Sequence, residues 1–199
     1  MKDLPVIVVG GSLVGLCASV FLAWRGVPHL LIEKHPQSHA HPRAMGFTER
    51  TLEYFRIVGL GDQVPQAAPG VRLRRVQAQS LFGDWLSESL WTPGAPQASE
   101  ELSPCRGAAI AQDRLEPILR DRARELGAEL WLGWEMLAFS QDADGVTLRV
   151  QHRESGQQQL LRTRYLIGAD GAKSPIREQL GISRDGCGML NTISSVLFY

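Results

Sequence analysis

No sign of charge dominates this chain. Its 199 residues carry 21 Lys and Arg against 21 Asp and Glu, a formal net charge of zero. It therefore has no basic field to draw nucleic acid or an anionic membrane. Cysteine is scarce. Cys17, Cys105 and Cys187 are odd in number and far apart. That excludes a disulfide framework and suits free thiols in a reducing cytoplasm, the expected location. Internal repeats and low-complexity tracts are missing. No Gly-x-Ser-x-Gly elbow surrounds Ser12, so it is not a hydrolase nucleophile. His35, His39 and His41 cluster, but prolines interrupt them and no carboxylate or thiolate joins them, so no metal site is expected. The five tryptophans are scattered and form no stacking platform.

Charge is also absent from Leu4 to Trp24, a run long enough to span a bilayer. Pro5, Gly10, Gly11 and Gly15 interrupt it, and its first part is β-branched. Lys2 is followed at once by Asp3, so no basic region precedes it and a signal peptide is not expected. A buried strand followed by a buried helix accounts for the same lack of charge, and no membrane partner is expected.

What remains is ordinary. Hydrophobic residues make up 44% and charged residues 21%, as in a soluble globular domain. The length allows one sizeable core and is short for two full domains. Val6–Val9 reads as a fully buried strand of the parallel-sheet type. Ser12–Arg25 reads as a helix stopped by Gly26. His29–Ile32 is a second apolar strand ending at Glu33. Strand, turn, helix and strand close within about 30 residues, the length of a βαβ unit.

A polar loop, Lys34–Gly46, follows. Thr48 is expected to cap a helix through Leu52, Phe55 and Val58 that stops near Gly59. Val71–Trp85 has strand character. Residues 87–104 are rich in Pro, Ser and Gly and read as a long surface loop. Asp113 and Glu116 have the spacing of a capping box, starting a helix that stops at Gly127. Short strands follow at Leu130–Leu132, Met136–Ser140, Val146–His152 and Leu160–Ile167. Asp144-Gly145 is the hairpin signal among them. Ser174, with Pro175 behind it and Gly181 past the end, brackets a last helix. Thr192–Tyr199 is again strand-like.

The chemistry-bearing motif is Gly10-Gly11-Ser12-Leu13-Val14-Gly15, between the first strand and helix. A pyrophosphate binds where free backbone amides and the helix dipole converge. Gly10 permits the tight turn, and Gly15 permits close packing of helix on sheet. The middle glycine of the usual Gly-x-Gly-x-x-Gly is Ser12 here. Its β-carbon tightens the approach to phosphate, while its hydroxyl offers a hydrogen bond. Glu33, about 20 residues on, can accept both ribose hydroxyls. Lys34 adjoins it and is counted with the cofactor-binding residues. Together they predict a site for the ADP half of a dinucleotide.

A second motif selects the dinucleotide. Tyr165-Leu-Ile-Gly-Ala-Asp170-Gly171-Ala-Lys-Ser174-Pro-Ile-Arg177 resembles the Asp-Gly motif of the group A flavoprotein monooxygenases, the p-hydroxybenzoate hydroxylase-like family. The resemblance implies FAD as cofactor, with Asp170 and Gly171 at its ribityl and pyrophosphate region. The same motif is linked there to NADPH use. Pro42-Arg43-Ala-Met-Gly46 with Arg50-Thr-Leu-Glu53 is similar to the family's early arginine loop and helix, which would bring Arg43 to the diphosphate or ribityl. Gln112, ahead of Asp-Arg-Leu-Glu, matches a glutamine that contacts the ribityl and phosphate. Met136, after Trp134-Glu135, matches a position whose backbone meets adenine. Within the family, Gly-Gly-Ser-Leu-Val-Gly most resembles the aromatic polyketide hydroxylases of antibiotic biosynthesis.

The expected fold is therefore α/β: a Rossmann-like FAD-binding domain over residues 1–182, with a parallel sheet and an inserted three-stranded β-meander over about 134–164. Residues 183–199 would begin the sheet of a truncated substrate-binding domain. The resemblance implies hydroxylation of an aromatic substrate with NAD(P)H and O₂. Because the family's proteins are much longer, the chain is expected to be an N-terminal portion, inactive by itself. It would hold the ADP half of FAD but not the ring, and its missing C-terminal portion would be a partner. No catalytic residue is assigned, because the flavin carries the chemistry. The alternatives are another flavin oxidoreductase of the fold, such as a halogenase or a decarboxylating relative, and a non-catalytic nucleotide-binding module.

Overall fold

A computed structural model describes residues 3–38, 46–66, 74–80, 82–90, 103–108, 110–190 and 192. The first compact unit comprises residues 1–45 and 111–199. It is built on one six-stranded sheet in the order β5-β2-β1-β8-β7-β6. The strands are β1 (Asp3–Val9), β2 (His29–Glu33), β5 (Glu129–Leu132), β6 (Trp134–Asp142), β7 (Gly145–His152) and β8 (Gln158–Gly168). β5, β2, β1 and β8 run parallel. β8, β7 and β6 form the antiparallel meander. This is the expected α/β architecture.

Alternation along the parallel strands produces two buried faces. Ile7 and Val9 of β1 and Leu30 and Ile32 of β2 form one core with Phe139, Val146, Leu148, Val150 and Leu161 of the meander and Ile176. The side chains that alternate with them, Val6, Val8 and Leu31, are also buried. Helix α1 (Leu13–Trp24) packs on β1 and β2 and against α3 (Gln112–Glu125). It contributes buried Leu16 and Val20, and α3 contributes Leu115, Leu119 and Ala123. A strand buried on both faces has no room for charge. That accounts for the uncharged run from Leu4 into α1 without a bilayer. Among the described residues no helix is long and apolar enough to cross a membrane.

Glycines with positive φ stop the helices where the sequence places them, at Gly26 (φ 71°) and Gly127 (φ 93°). The β6–β7 turn falls at Ala143-Asp144, and Asp142 organises it. One Asp142 carboxylate oxygen accepts the amides of Asp144 (2.9 Å) and Gly145 (3.1 Å). Arg162 also grips this carboxylate, at 2.6 and 2.9 Å. The Arg162 bond first, then the Asp144 amide, pushes its pKa down to about 2.

The second unit comprises residues 46–110. It holds α2 (Glu49–Ile57) and an antiparallel ribbon of β3 (Arg74–Ala78) and β4 (Trp85–Leu90). Thr48 precedes α2 but its side chain makes no capping bond. Leu52, Phe55, Val58, Leu60 and Val64 are buried here. β4 takes the first residues of the segment expected as a loop from 87, because Ser87 and Glu88 pair with Gln77 and Val76. The strand expected at 192–199 lies, beyond Thr192, outside the described residues.

Leu148 is fully buried between the meander and the parallel strands. Leu148→Ala is expected to lower unfolding free energy by about 2–5 kcal/mol in urea titrations. A loss under about 1 kcal/mol would contradict this account of the core.

Candidate functional site

The sheet order puts the carboxyl ends of β2, β1 and β8 side by side. β1 pairs with β2 through Val9–Ile32 and with β8 through Val9–Gly168. The chain leaves β1 toward β2 on one side and returns as β8 on the other. Such a reversal in strand order opens a crevice at the carboxyl ends. The Gly10–Gly15 turn, Glu33 and Asp170-Gly171 come from these three ends.

Gly10 holds the turn together. Its φ of +109° suits glycine. Its amide donates to the Ile32 carbonyl at 2.9 Å, and the Ala169 amide donates to the Val9 carbonyl at 2.7 Å. A β-carbon on Gly10 would run into the Ala169 carbonyl, and one on Gly15 would run into the Gly10 carbonyl. The backbone is thus packed without side chains between turn, helix and the Asp170 loop. Leu13, Val14 and Gly15 open α1, so their amides have no intrahelical acceptor. No acidic residue stands in that first turn. A turn bare of side chains at Gly10 and Gly11, with free amides at the start of α1, fits a pyrophosphate.

Glu33 is 14% exposed at its side chain. Its Oε2 accepts the Gly11 amide at 2.5 Å, and its Oε1 accepts the His35 amide at 2.8 Å. The His35 ring nitrogen Nδ1 also lies 2.7 Å from Oε1. Gly11 must lack a side chain, since a β-carbon there would press on the Glu33 side chain. The carboxylate is held in place at the strand end, as a ribose acceptor requires. Lys34 lines an open cleft of about 440 Å³ with Pro36, Leu132, Gly133 and His152.

Asp170 accepts the Ile176 amide through Oδ2 at 3.1 Å. Ser174 accepts the Arg177 amide at 3.0 Å, so it caps α4 (Pro175–Gln179) as expected. Gly171 has φ +91° with open space around it.

Gln112 is the first residue of α3 and is buried. Its Nε2 donates to Ser12 Oγ at 2.8 Å and to Glu116 Oε1 at 2.8 Å. Ser12 Oγ donates to Glu116 Oε1 at 2.7 Å. Glu116 is therefore no capping-box residue: α3 begins one residue before Asp113, and its N-cap, Ala111, has no side-chain bond. The Ser12 hydroxyl, read from sequence as a donor to phosphate, has its single proton committed to Glu116. Ser38 and Arg120 complete the cluster, with Arg120 donating to Ser38 Oγ at 3.0 Å. Sequence reasoning missed Glu116, Ser38 and Arg120; the one local signal was Glu116 one helical turn after Gln112.

Met136 is not tied to the glycine turn by sequence or strand order. It lies on β6 opposite Val150, beside an irregularity in register, and packs against the meander core. Arg43, with His39 and His41, lies outside the described residues.

The family model of the FAD binding domain matches residues 3–198. The chain belongs to the FAD-binding domain family. This FAD-binding domain is 43% identical over 199 residues to a protein of Streptomyces halstedii named as a polyketide hydroxylase, covering 98% of the chain and 35% of that protein. It is 40% identical to the tetracenomycin A2 monooxygenase-dioxygenase of Streptomyces glaucescens, covering 99% of the chain and 38% of the relative. Its fold is similar to the crystal structure of the flavin-dependent monooxygenase PieE in complex with FAD and substrate. There the TM-score is 0.83 at 34% identity, covering 93% of this chain and 33% of that one. The chain thus spans about a third of the length of the relatives it matches.

Glu116 yields a pH prediction. Burial pushes its carboxyl up, but bonds from Ser12, Gln112 and Ser38 and the Arg120 charge outweigh burial and hold it below its ordinary value. A depressed carboxyl stabilises the fold above its unfolded pKa, and that stability is lost as pH falls through the folded value. Thermal unfolding between pH 7 and pH 3 should show a smaller acid-side loss of Tm in Glu116→Gln than in the unaltered protein. Equal losses would count against this reading of Glu116.

Proposed function

We propose that the protein of which this FAD-binding domain is part hydroxylates an aromatic, polyketide-type substrate, using FAD, NAD(P)H and O₂. The observation that carries this is the meeting of the Gly10 turn, Glu33 and Asp170 at three adjacent strand ends. The names of the Streptomyces relatives support the substrate class.

In this reading each residue binds or orients. The amides of Ser12, Leu13, Val14 and Gly15 take the pyrophosphate, with Gly10 making the turn and Gly11, its amide given to Glu33, keeping the backbone bare beside it. Glu33 accepts the ribose hydroxyls, and Lys34 borders them. Asp170, fixed through one oxygen by the Ile176 amide, offers its other oxygen to the ribityl and pyrophosphate region beside Gly171. Gln112 and Arg43 complete that end, and the Met136 backbone meets adenine. FAD, when bound, supplies the redox chemistry between NAD(P)H and O₂. The protein's part is to orient it and keep water out. Residues 1–182 form the FAD-binding domain in this reading, and 183–199 begin a substrate-binding domain. The location is cytoplasmic.

The test is spectroscopic and then catalytic. Purified protein is expected to carry the visible flavin absorbance, and Asp170→Ala to weaken FAD binding by about tenfold or more, the scale of a lost charge-assisted hydrogen bond. Full-length protein is expected to oxidise NAD(P)H faster with a polyphenolic substrate present and to return it hydroxylated. No flavin binding, or NAD(P)H oxidation with no hydroxylated product from any phenol tried, would overturn the proposal.

A further inference from the structure

Ser12 stands at the N-cap of α1 with φ −87° and ψ −170°, the extended backbone of a capping serine. A serine there ordinarily turns its oxygen onto the amides two or three residues on, here Val14 and Gly15. This one does not: its side chain makes no capping bond. It turns toward α3 instead, where its hydroxyl donates to Glu116 and accepts from Gln112.

We propose that Glu116 is a positioning residue of the FAD site: by holding the Ser12 hydroxyl it keeps that oxygen off the first-turn amides of α1 and leaves them open to the pyrophosphate. The proposal rests on the FAD reading above. Without Glu116, the serine's easiest partner is its own helix. A capped helix start has already spent the donors an anion needs, and it sets an oxygen lone pair in the anion's path. Glu116 is well placed for the role. It is 3% exposed and sits one turn into α3. Its charge is offset by Gln112, Ser38 and Arg120, so it is a strong, fixed acceptor rather than a wandering surface carboxylate. The arrangement also explains how a side chain is tolerated where the fingerprint carries its middle glycine. The β-carbon is present, but the polar end is drawn away from the amides.

The test measures FAD dissociation constants by quenching of flavin fluorescence, in full-length protein freed of FAD. Glu116→Leu is expected to weaken FAD about fivefold to tenfold, the effect of competing with one capping bond. Adding Ser12→Gly to Glu116→Leu is expected to restore affinity to within about threefold of the unaltered protein. A merely structural role for Glu116 gives no such rescue. Ser12→Gly alone, which restores the fingerprint glycine, is expected to bind within about threefold of the unaltered protein. If Glu116→Leu does not fold, Glu116→Gln, a weaker acceptor of the same size, takes its place, with a smaller loss and the same rescue by Ser12→Gly expected. Unchanged affinity in Glu116→Leu, a double variant no tighter than Glu116→Leu, or a tenfold loss in Ser12→Gly alone would overturn the proposal and leave the FAD reading standing. No FAD binding by the unaltered protein would overturn both.

Discussion

Gly10 sits where three pieces of backbone meet. Its amide reaches the Ile32 carbonyl of β2. Its own carbonyl lies where Gly15 would carry a side chain, and its missing β-carbon leaves room for the Ala169 carbonyl. The first helix, the second strand and the Asp170 loop take their places around this contact. A side chain at either glycine would push α1 off the sheet or the Asp170 loop off the turn. The same closeness leaves a patch of bare backbone at the carboxyl edge of the sheet, which a phosphate can approach.

A second constraint lies beneath this one. The Glu116 carboxylate is buried, and a buried charge is costly unless it is fully bonded. Its partners come from the glycine turn (Ser12), from its own helix (Gln112) and from the segment after β2 (Ser38). Three stretches bordering the crevice are thereby tied to one group. The meander serves the same edge from the other face. Its apolar residues bury Ile7, Val9, Leu30 and Ile32, which keeps the strands that end in Gly10 and Glu33 rigid.

What was legible in the sequence is what local rules govern. Apolar runs and glycine stops marked β1, α1 and β2, because a strand buried on both faces and a helix end leave direct traces. Ser174-Pro175 marked α4 for the same reason. Glu116 was misread because Asp-x-x-Glu has the spacing of a capping box, whereas its partner Ser12 is 104 residues away. His35 falls in a sequence cluster with His39 and His41, but its contact is Glu33, two residues back. β4 is only partly announced: Trp85 closes the stretch with strand character, but Ser87, Glu88 and Ser89 are polar, so no apolar alternation carries the strand on to Leu90. The Asp170 motif is legible as a resemblance. Its placement beside Gly10 depends on sheet order, which a run of residues does not state.

The central claim is that this chain holds the ADP half of FAD. Calorimetric titration with FAD, FMN and ADP tests it directly, since FMN shares the flavin end and lacks the ADP end. The account expects FAD to bind, ADP to compete with it, and FMN at the same concentration to leave FAD binding unchanged. Displacement of FAD by FMN with no effect of ADP would contradict it.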